Sequence, residues 1–374
     1  MNQPTVTLIV GPRERFSYAR ESLESLYADT DYPFELVYVD AGSPNYIRTF
    51  LEKKSAEKGF PLLKSDYFIS PNQARNTGLR YVLTHKPDTD YVVFVENDVV
   101  VKRGWLTELV KCAEETHAAV VGPLTCIGRP EHQVIHNAGG RSYIEVERKP
   151  DGRTKRRIRQ KAALTGRAIA DLPAEQLQRT KTDYAEFHCM LVRLSVFDQT
   201  GLLDEGMMAT REHIDFCFMV TKVGGEIYSE RTAIVTSDTL GIASNKVGLE
   251  KTFGKFEIPD FKWSDMPYFM LRWCDAWDLA SLHHIRDKWN LAEDKYFRRR
   301  YQSIGSRRHE ILVKPLVYRL SFGRENPWLE SILIALERQI NHLVYNRFMR
   351  KKMRLTYRKY LNQPDAVPTV EKQA

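Results

Sequence analysis

The sequence predicts an α/β fold in which a mostly parallel sheet is flanked by helices and followed by a helical C-terminal extension. Two observations predict it. Strand-like apolar runs alternate with helix-like stretches through the first half of the chain, and beyond about residue 244 the pattern is helical and rich in Trp and Tyr. Such alternation requires right-handed crossovers, which make neighbouring strands parallel and place ligands beyond their carboxyl ends.

Each element of the first half is predicted by its own residues. The runs that predict strands are Val6–Val10, Phe34–Val39 and Tyr91–Val95, which are apolar or β-branched. Helical spacing of apolar residues marks Tyr18–Ala28 and the stretch around Phe50, and further helices begin near Pro71 and Gly104. The return half is predicted from Tyr184–Leu191, the amphipathic stretch Ile214–Val223 and the strand-rich stretch Glu226–Thr236. Asp40 and Glu96 follow two of the strands, so they are predicted to share one crevice.

Composition limits the class of protein. The chain has 374 residues and a formal charge of +8, and about 24 Lys and Arg against about 14 Asp and Glu lie beyond residue 250. A basic C-terminal part suits an anionic substrate or membrane surface, and it suits a solvated face equally well. The five cysteines form no C-x-x-C pair, no run is long enough for a membrane span, and the N-terminus carries no export pattern. These features predict a soluble, cytoplasmic protein.

The tripeptide Glu96-Asn97-Asp98 follows a buried strand and is the most informative motif. Strand alternation places its two carboxylates on the same face. Mg²⁺ and Mn²⁺ are commonly held by one or two carboxylates together with substrate phosphates, so the motif predicts a divalent cation and diphosphate chemistry. The alternative is a solvated turn.

Several further segments carry a family resemblance. They are Val39-Asp40-Ala41-Gly42-Ser43, Ala74-Arg75-Asn76-Thr77-Gly78, Gly104-Trp105-Leu106, Gly201-Leu202-Leu203-Asp204-Glu205 and Arg211-Glu212-His213-Ile214-Asp215-Phe216. Together with Glu96-Asn97-Asp98 they resemble the family 2 glycosyltransferases of the GT-A fold over residues 5–240. His136-Asn137-Ala138-Gly139-Gly140 is similar to a segment of rhamnosyltransferase-like members. The resemblance implies a GT-A domain over 1–243. The residues themselves predict an exposed, mobile basic insertion at about 145–180, a helical region over 244–360 and a disordered tail over 361–374.

The resemblance also implies roles for individual residues. The nucleotide sugar would be bound by Asp40, Arg75, Asn76, Glu96 and Asn97. A carboxylate at Asp40 can accept the imide N–H of uracil or thymine, which favours a UDP- or dTDP-sugar. The cation, Mn²⁺ or Mg²⁺, would be held by Asp98, Glu96 and Asp238.

The general base is expected at the start of the helix that carries the last motif. Asp215 and Glu212 are ranked ahead of His213, which stands at the position where the family most often has an acidic base. A capping cluster of acidic groups is the alternative. His188 either polarises the acceptor pocket or has a buried structural role. His136 either helps to shape the donor pocket or is a structural histidine.

The resulting hypothesis is an inverting, metal-dependent transfer of a hexosyl or deoxyhexosyl group to a hydroxyl of a glycan or lipid-linked acceptor, as in polysaccharide biosynthesis. The alternatives are a sugar nucleotidyltransferase, disfavoured because Gly11–Arg15 has a single glycine, and a non-catalytic binding module of the same fold. No nucleic-acid motif is found. The apolar face of Trp328–Tyr357, with its basic end, predicts either a helix packed on the first domain or peripheral contact with the inner face of a membrane.

Overall fold

The computed structural model describes residues 3–128, 133–148, 150–237 and 263–347, and it confirms the α/β architecture. The first half follows the predicted alternation of strands and helices. Its elements are β1 (Val6–Gly11), α1 (Ala19–Ala28), β2 (Glu35–Ala41), α2 (Asn45–Lys58), β3 (Leu62–Ser65), α3 (Pro71–His85), β4 (Tyr91–Glu96), β5 (Val99–Val101) and α4 (Trp105–Thr116).

The second half of the sheet domain returns through strands of mixed direction. The elements are β6 (Val120–Ile127), β7 (Val134–Asn137), β8 (Gly140–Arg148), β9 (Thr154–Ala162), β10 (Thr180–Thr182), β11 (Cys189–Arg193), α5 (Val196–Thr200), α6 (Glu212–Lys222) and β12 (Ile227–Ser237). The main sheet has the order β10-β12-β6-β11-β4-β1-β2-β3, with β5 on β12 and β7 on β6. The strands β3, β2, β1 and β4 are parallel, as are β6 and β12, whereas β11 is antiparallel to both its neighbours.

The sheet is buried on both faces, which explains why its central strands are apolar without interruption. Along β1, Leu8 and Val10 pack into one core with α1 and α4, whereas Ile9 packs into a second core with α3 and α6. In the register of β1 with β4, Gly11 pairs with Glu96. The loop that follows β1 therefore begins beside the predicted acidic motif.

The predicted basic insertion is a regular β-hairpin formed by β8 and β9. Cross-strand ion pairs join its exposed arginines to acidic partners, for example Arg159 to Glu145 at 2.6 Å. The hairpin also contacts the C-terminal region, since Arg156 donates to the carbonyl oxygen of Trp289 at 3.0 Å. Two of its arginines, Arg157 and Arg159, are therefore paired across the strands with Glu145 and Glu147.

The described part of the C-terminal region is helical, as predicted. It contains α7 (Met266–Arg272), α8 (Asp275–Lys288), α9 (Lys295–Gln302), α10 (Lys314–Leu320) and α11 (Pro327–Ile340), with a π-helical turn at His309–Val313. Trp277 of α8 is buried, and the Ser281 hydroxyl accepts from the backbone N–H groups of Met208 and Ala209 at 2.9 Å. The helices are thus tied to the loop that precedes α6. The predicted tail over 361–374 lies outside the described residues.

Candidate active site

Glu96 ends β4 and is held between two arginines. Its Oε2 accepts from Arg13 at 2.7 Å and its Oε1 accepts from Arg75 at 3.1 Å, and only 8% of the residue is exposed. Burial alone would raise the pKa of Glu96, but Arg13, His188 and Arg75 outweigh that effect and lower the pKa to about 2. Glu96 is therefore a permanently charged partner of two buried guanidinium groups.

The other two residues of the acidic motif are buried behind Glu96. The side-chain oxygen of Asn97 accepts from the backbone N–H of Arg13 at 2.6 Å, so Asn97 fixes the loop after β1. Asp98 is 1% exposed, and its Oδ2 lies 3.9 Å from Arg13 Nε. Both oxygens of Glu96 already have cationic partners, so Glu96 and Asp98 do not fit an open divalent-cation site in this arrangement. The third predicted ligand, Asp238, lies outside the described residues.

Arg75 and Asn76 lie on α3 but point to different partners. The Arg75 guanidinium stacks on the ring of Phe187 at 4.1 Å and also donates to Asn72 at 3.1 Å. The Asn76 amide donates to the carbonyl oxygen of Leu203 at 2.8 Å and its oxygen accepts from the backbone N–H of the same residue at 3.0 Å. Asn76 therefore secures the loop after α5, whereas Arg75 contacts the Glu96 site.

Asp40 lies at the same edge of the sheet as Glu96 but closes a turn of its own. Its two oxygens accept from the backbone N–H of Ser43 and from Arg48 Nε, each at 2.8 Å, and the side chain is fully buried. The turn needs glycine at Gly42, where φ is +74° and a Cβ atom would lie 2.8 Å from the carbonyl carbon of Tyr67. Among the described residues, Asp40 is not part of the cavity lining that contains Glu96, and the crevice shared by the two stays a prediction.

The start of α6 presents two of its three predicted base candidates to that cavity. It is preceded by Arg211, which has a left-handed backbone with φ of 67°, a strained conformation of the kind found at functional sites. Glu212 Oε1 accepts from Arg272 at 3.4 Å and lies 4.0 Å from Arg75. His213 is largely buried, and burial lowers its pKa to about 4, so its imidazole is neutral at neutral pH.

Asp215 is directed away from the cavity. Its Oδ1 accepts from Trp289 Nε1 and its Oδ2 accepts from Lys288 Nζ, each at 2.7 Å, and the residue is 3% exposed. Although Asp215 is only three residues beyond Glu212, its partners Lys288 and Trp289 lie at the end of α8, whereas Glu212 meets Arg272. The residue ranked first from the sequence thus joins α6 to the C-terminal helices.

Two histidines and a glutamate converge next to Glu96. Glu186 Oε2 lies 3.1 Å from His136 Nε2 and 3.3 Å from His188 Nδ1. His188 Nε2 lies 3.9 Å from Glu96, and His213 Nε2 lies 3.9 Å from the other oxygen of Glu186. Burial raises the pKa of Glu186, but the neighbouring histidines, His136 above all, hold it well below its usual range.

These side chains line one cavity of about 350 Å³ between the sheet domain and the C-terminal helices. Its charged and imidazole-bearing walls are formed by Arg13, Glu96, His136, Glu186, His188, Arg211, Glu212, His213, Arg272, Asp278, Arg300, Arg307, Arg308 and Glu310. Sequence reasoning missed Arg13, Arg272 and Glu186. Arg13 could have been found from the rule that placed Glu96, because it also follows the carboxyl end of a central strand. Arg272 lies where the family resemblance fades, so no motif marked it.

The sheet and the flanking helices define the chain as a protein of α/β fold. The family model described as Glycosyl transferase family 2 matches residues 9–200, about half of the chain. The chain therefore belongs to glycosyl transferase family 2, as the sequence predicted, and the predicted GT-A fold is that of this family.

Comparison with individual proteins gives more distant similarity. A pre-mycofactocin glycosyltransferase of Mycobacterium tuberculosis is 23% identical over 62% of this chain and 42% of its own length. A low-salt glycan biosynthesis hexosyltransferase of Haloferax volcanii is 22% identical over 54% of this chain and 57% of its own length. The chain thus spans about half the length of these curated relatives. Among solved structures, a mannosyltransferase from Pyrobaculum calidifontis in complex with GDP-Man and Mn²⁺ aligns with a TM-score of 0.45 at 14% identity, over 100% of this chain and 89% of its own.

Two other observations bear on location. All five cysteines are buried free thiols. Within the described ranges, no helix is both long and apolar enough to cross a bilayer.

Proposed function

We propose that this protein transfers a sugar from a nucleoside diphosphate sugar to a hydroxyl acceptor with inversion at the anomeric carbon. The observation that carries the proposal is the single cavity that joins Glu96 at the end of β4 to Glu212 and His213 at the start of α6. Six arginines line the same cavity. Family membership supplies the reaction class, and this cavity supplies the place where donor and acceptor would meet.

The arginines suit the donor diphosphate. A guanidinium is always charged and binds phosphate oxygens in a bidentate manner, so arginines stabilise a diphosphate leaving group without any proton transfer. Arg272 is partly engaged with Glu212, while Arg300 stacks over Tyr296 at 5.2 Å. A UDP- or dTDP-sugar remains the favoured donor, of hexosyl or deoxyhexosyl type. Contact of the base with Asp40 would require Arg48 to move aside.

His213 is proposed as the general base that removes the acceptor proton. Its Nε2 is buried and has no hydrogen-bond partner among the described residues, so its lone pair is available when the imidazole is neutral. Glu212 is less suited because its Oε1 already accepts from Arg272 at 3.4 Å and lies 4.0 Å from Arg75. In the transfer, the acceptor oxygen attacks the anomeric carbon from the face opposite the diphosphate while His213 takes the hydroxyl proton.

The direct test is turnover of a panel of UDP-, dTDP- and GDP-sugars, with release of the nucleoside diphosphate as the readout. His213→Gln should lower kcat by roughly 10²- to 10⁴-fold, the usual contribution of a general base. Glu212→Gln is the matched variant one residue away, and a loss confined to it would reassign the base. Calorimetric titration that finds no nucleotide binding at all would reject the proposal and favour a non-catalytic module or a different reaction.

The C-terminal helices supply a second proposed contact, with the anionic inner face of a membrane where a lipid-linked or growing glycan acceptor would lie. One face of α11 exposes Trp328, Ile332, Leu336 and Ile340, with Trp328 at 75%, and Phe322 just before it is 96% exposed. Exposed arginines at 319, 324 and 338 flank this apolar face. Apolar side chains bordered by basic ones bind anionic lipid interfaces. The opposite face packs on the protein through Arg308 and Glu337 at 2.6 Å.

Sedimentation with phosphatidylglycerol vesicles tests the membrane proposal. The double variant Leu336→Glu, Ile340→Glu should abolish the bound fraction because it places two charges at the apolar surface. Gln339→Glu adds one charge to the same exposed helix without removing an apolar side chain, and it should retain most binding. Equal binding of the double variant and the wild type would eliminate this surface. Because all five cysteines are reduced and buried, the proposed site of action is the cytoplasm.

A further inference from the structure

The cluster formed by His136, Glu186 and His188 has the composition of a transition-metal site. Three oxygen or nitrogen ligand atoms, one from each residue, lie within 4.8 Å of one another. Two imidazoles and one carboxylate suit Mn²⁺, Fe²⁺, Co²⁺ or Zn²⁺, whereas Mg²⁺ prefers oxygen ligands alone. The cluster therefore differs in kind from the all-oxygen site that the acidic motif predicts.

The distances within the cluster agree with ligands of one cation. Metal bonds to histidine nitrogen and carboxylate oxygen are about 2.0–2.2 Å long, so two ligands on one ion at tetrahedral or octahedral angles are about 3.0–3.5 Å apart. The distances from Glu186 Oε2 to His136 Nε2 and His188 Nδ1 are 3.1 and 3.3 Å.

Backbone contacts hold the two histidines of the cluster in place. His136 lies on β7, and its carbonyl oxygen accepts from the Thr165 hydroxyl at 3.1 Å. His188 directly precedes β11, and its carbonyl oxygen accepts from the backbone N–H of Glu96 at 3.0 Å. The two imidazole rings pack edge to face with centroids 5.1 Å apart. These contacts fix His136 and His188 before an ion binds, and a preorganised site loses little chain entropy on binding.

We infer that His136, Glu186 and His188 form a divalent transition-metal site that takes the place of the cation site expected at Glu96 and Asp98. Glu96 and Asp98 are occupied by Arg13 and Arg75, whereas the three cluster residues all line the cavity and leave coordination positions on its open side. The metal site stands on this geometry alone. One part of the inference, the contact between the metal and the donor, rests on the proposed function. It follows because the open coordination positions of the metal face the cavity in which the donor diphosphate is proposed to bind.

Binding of MnCl₂ to the nucleotide-free protein, followed by calorimetry and pulsed EPR, tests the site. We expect one bound Mn²⁺ with ¹⁴N hyperfine coupling of the size that a directly coordinated imidazole nitrogen produces. His136→Ala should remove part of that coupling and weaken binding on the order of 100-fold, and the isosteric Glu186→Gln should weaken it without disturbing the fold. His283→Ala, an exposed histidine of α8, is the matched control. MgCl₂ should compete poorly.

A different set of outcomes would overturn the inference. If Mn²⁺ binds without ¹⁴N coupling and Asp98→Asn abolishes that binding, the cation site is the acidic motif Glu96-Asn97-Asp98. Failure to bind Mn²⁺, Co²⁺ or Zn²⁺ at millimolar concentration would reject the site. Neither outcome depends on turnover, so a protein that binds the metal but releases no nucleoside diphosphate would reject the proposed function and leave the metal site in place.

Discussion

Substitution of Asp215 by asparagine separates a structural role from a catalytic one. The structure predicts that Asp215→Asn lowers the free energy of unfolding and leaves kcat nearly unchanged. Asp215 joins α6 to the C-terminal helices through Lys288 and Trp289, each at 2.7 Å, and it does not line the cavity. A general base must reach the acceptor hydroxyl, and Asp215 is turned away from the cavity in which that hydroxyl would bind.

The expected loss of free energy of unfolding depends on which interactions Trp289 and Lys288 keep in Asp215→Asn. Asparagine keeps an oxygen that accepts from Trp289, but it offers Lys288 no negative charge. A hydrogen bond to a charged group contributes about 1.5–3 kcal/mol. Removal of one member of a fully buried ion pair costs about 3–5 kcal/mol, but Lys288 is 24% exposed and still bonds Asp204 at 2.8 Å. The loss should therefore be about 2 kcal/mol.

Urea unfolding followed by tryptophan fluorescence measures the stability, and nucleoside diphosphate release well below the melting temperature measures kcat. Asp198→Asn is the control, because Asp198 is an exposed carboxylate on α5, and it should change neither quantity. If Asp215→Asn instead reduced kcat by roughly a hundredfold or more at unchanged stability, the structural reasoning would be refuted and the base predicted from the sequence restored.

Three further predictions concern buried charge and backbone strain. Glu96→Gln should lower the free energy of unfolding at pH 7 by about 3 kcal/mol, because Arg13 and Arg75 lose their shared counter-charge; an unchanged urea midpoint would contradict this. Burial raises the pKa of Asp278 to about 6, so the folded state is penalised above that pH and relieved as pH falls through 6. Asp278→Asn should therefore stabilise the protein at pH 7.5 by up to about 3 kcal/mol and have little effect at pH 4, as unfolding at the two pH values will test. Gly42→Ala should destabilise by about 2–4 kcal/mol in thermal unfolding, because φ is +74° and the added Cβ meets the backbone of Tyr67 at 2.8 Å; a melting temperature equal to wild type would show that the turn relaxes freely.

The elements that the sequence predicted well are those decided by local pattern. The strand that ends at Glu96 is apolar at every position because both faces are buried, and the helix that begins at Pro71 follows from proline at its first position. The roles of Asn76 and Asp215 could not be predicted in the same way. Their partners, Leu203 and Lys288, are 127 and 73 residues away, and only the tertiary packing decides which of many acceptors or donors they meet.

The exchange of aspartate for glutamate at position 96 links the main departures of this site from the predicted one. A glutamate is one methylene longer than the aspartate that the resemblance implies, and this reach lets each Glu96 oxygen meet a different arginine, Arg13 from the loop after β1 and Arg75 from α3. A carboxylate so engaged has little capacity left for a cation, since binding one would leave both buried guanidinium groups without their counter-charge. The backbone carbonyl oxygen of His188 accepts from the Glu96 N–H, and the side chains of His188, Glu186 and His136 form the proposed cation site. Glutamate at position 96 thus relates the closed acidic motif to the cation site that we propose at the histidines.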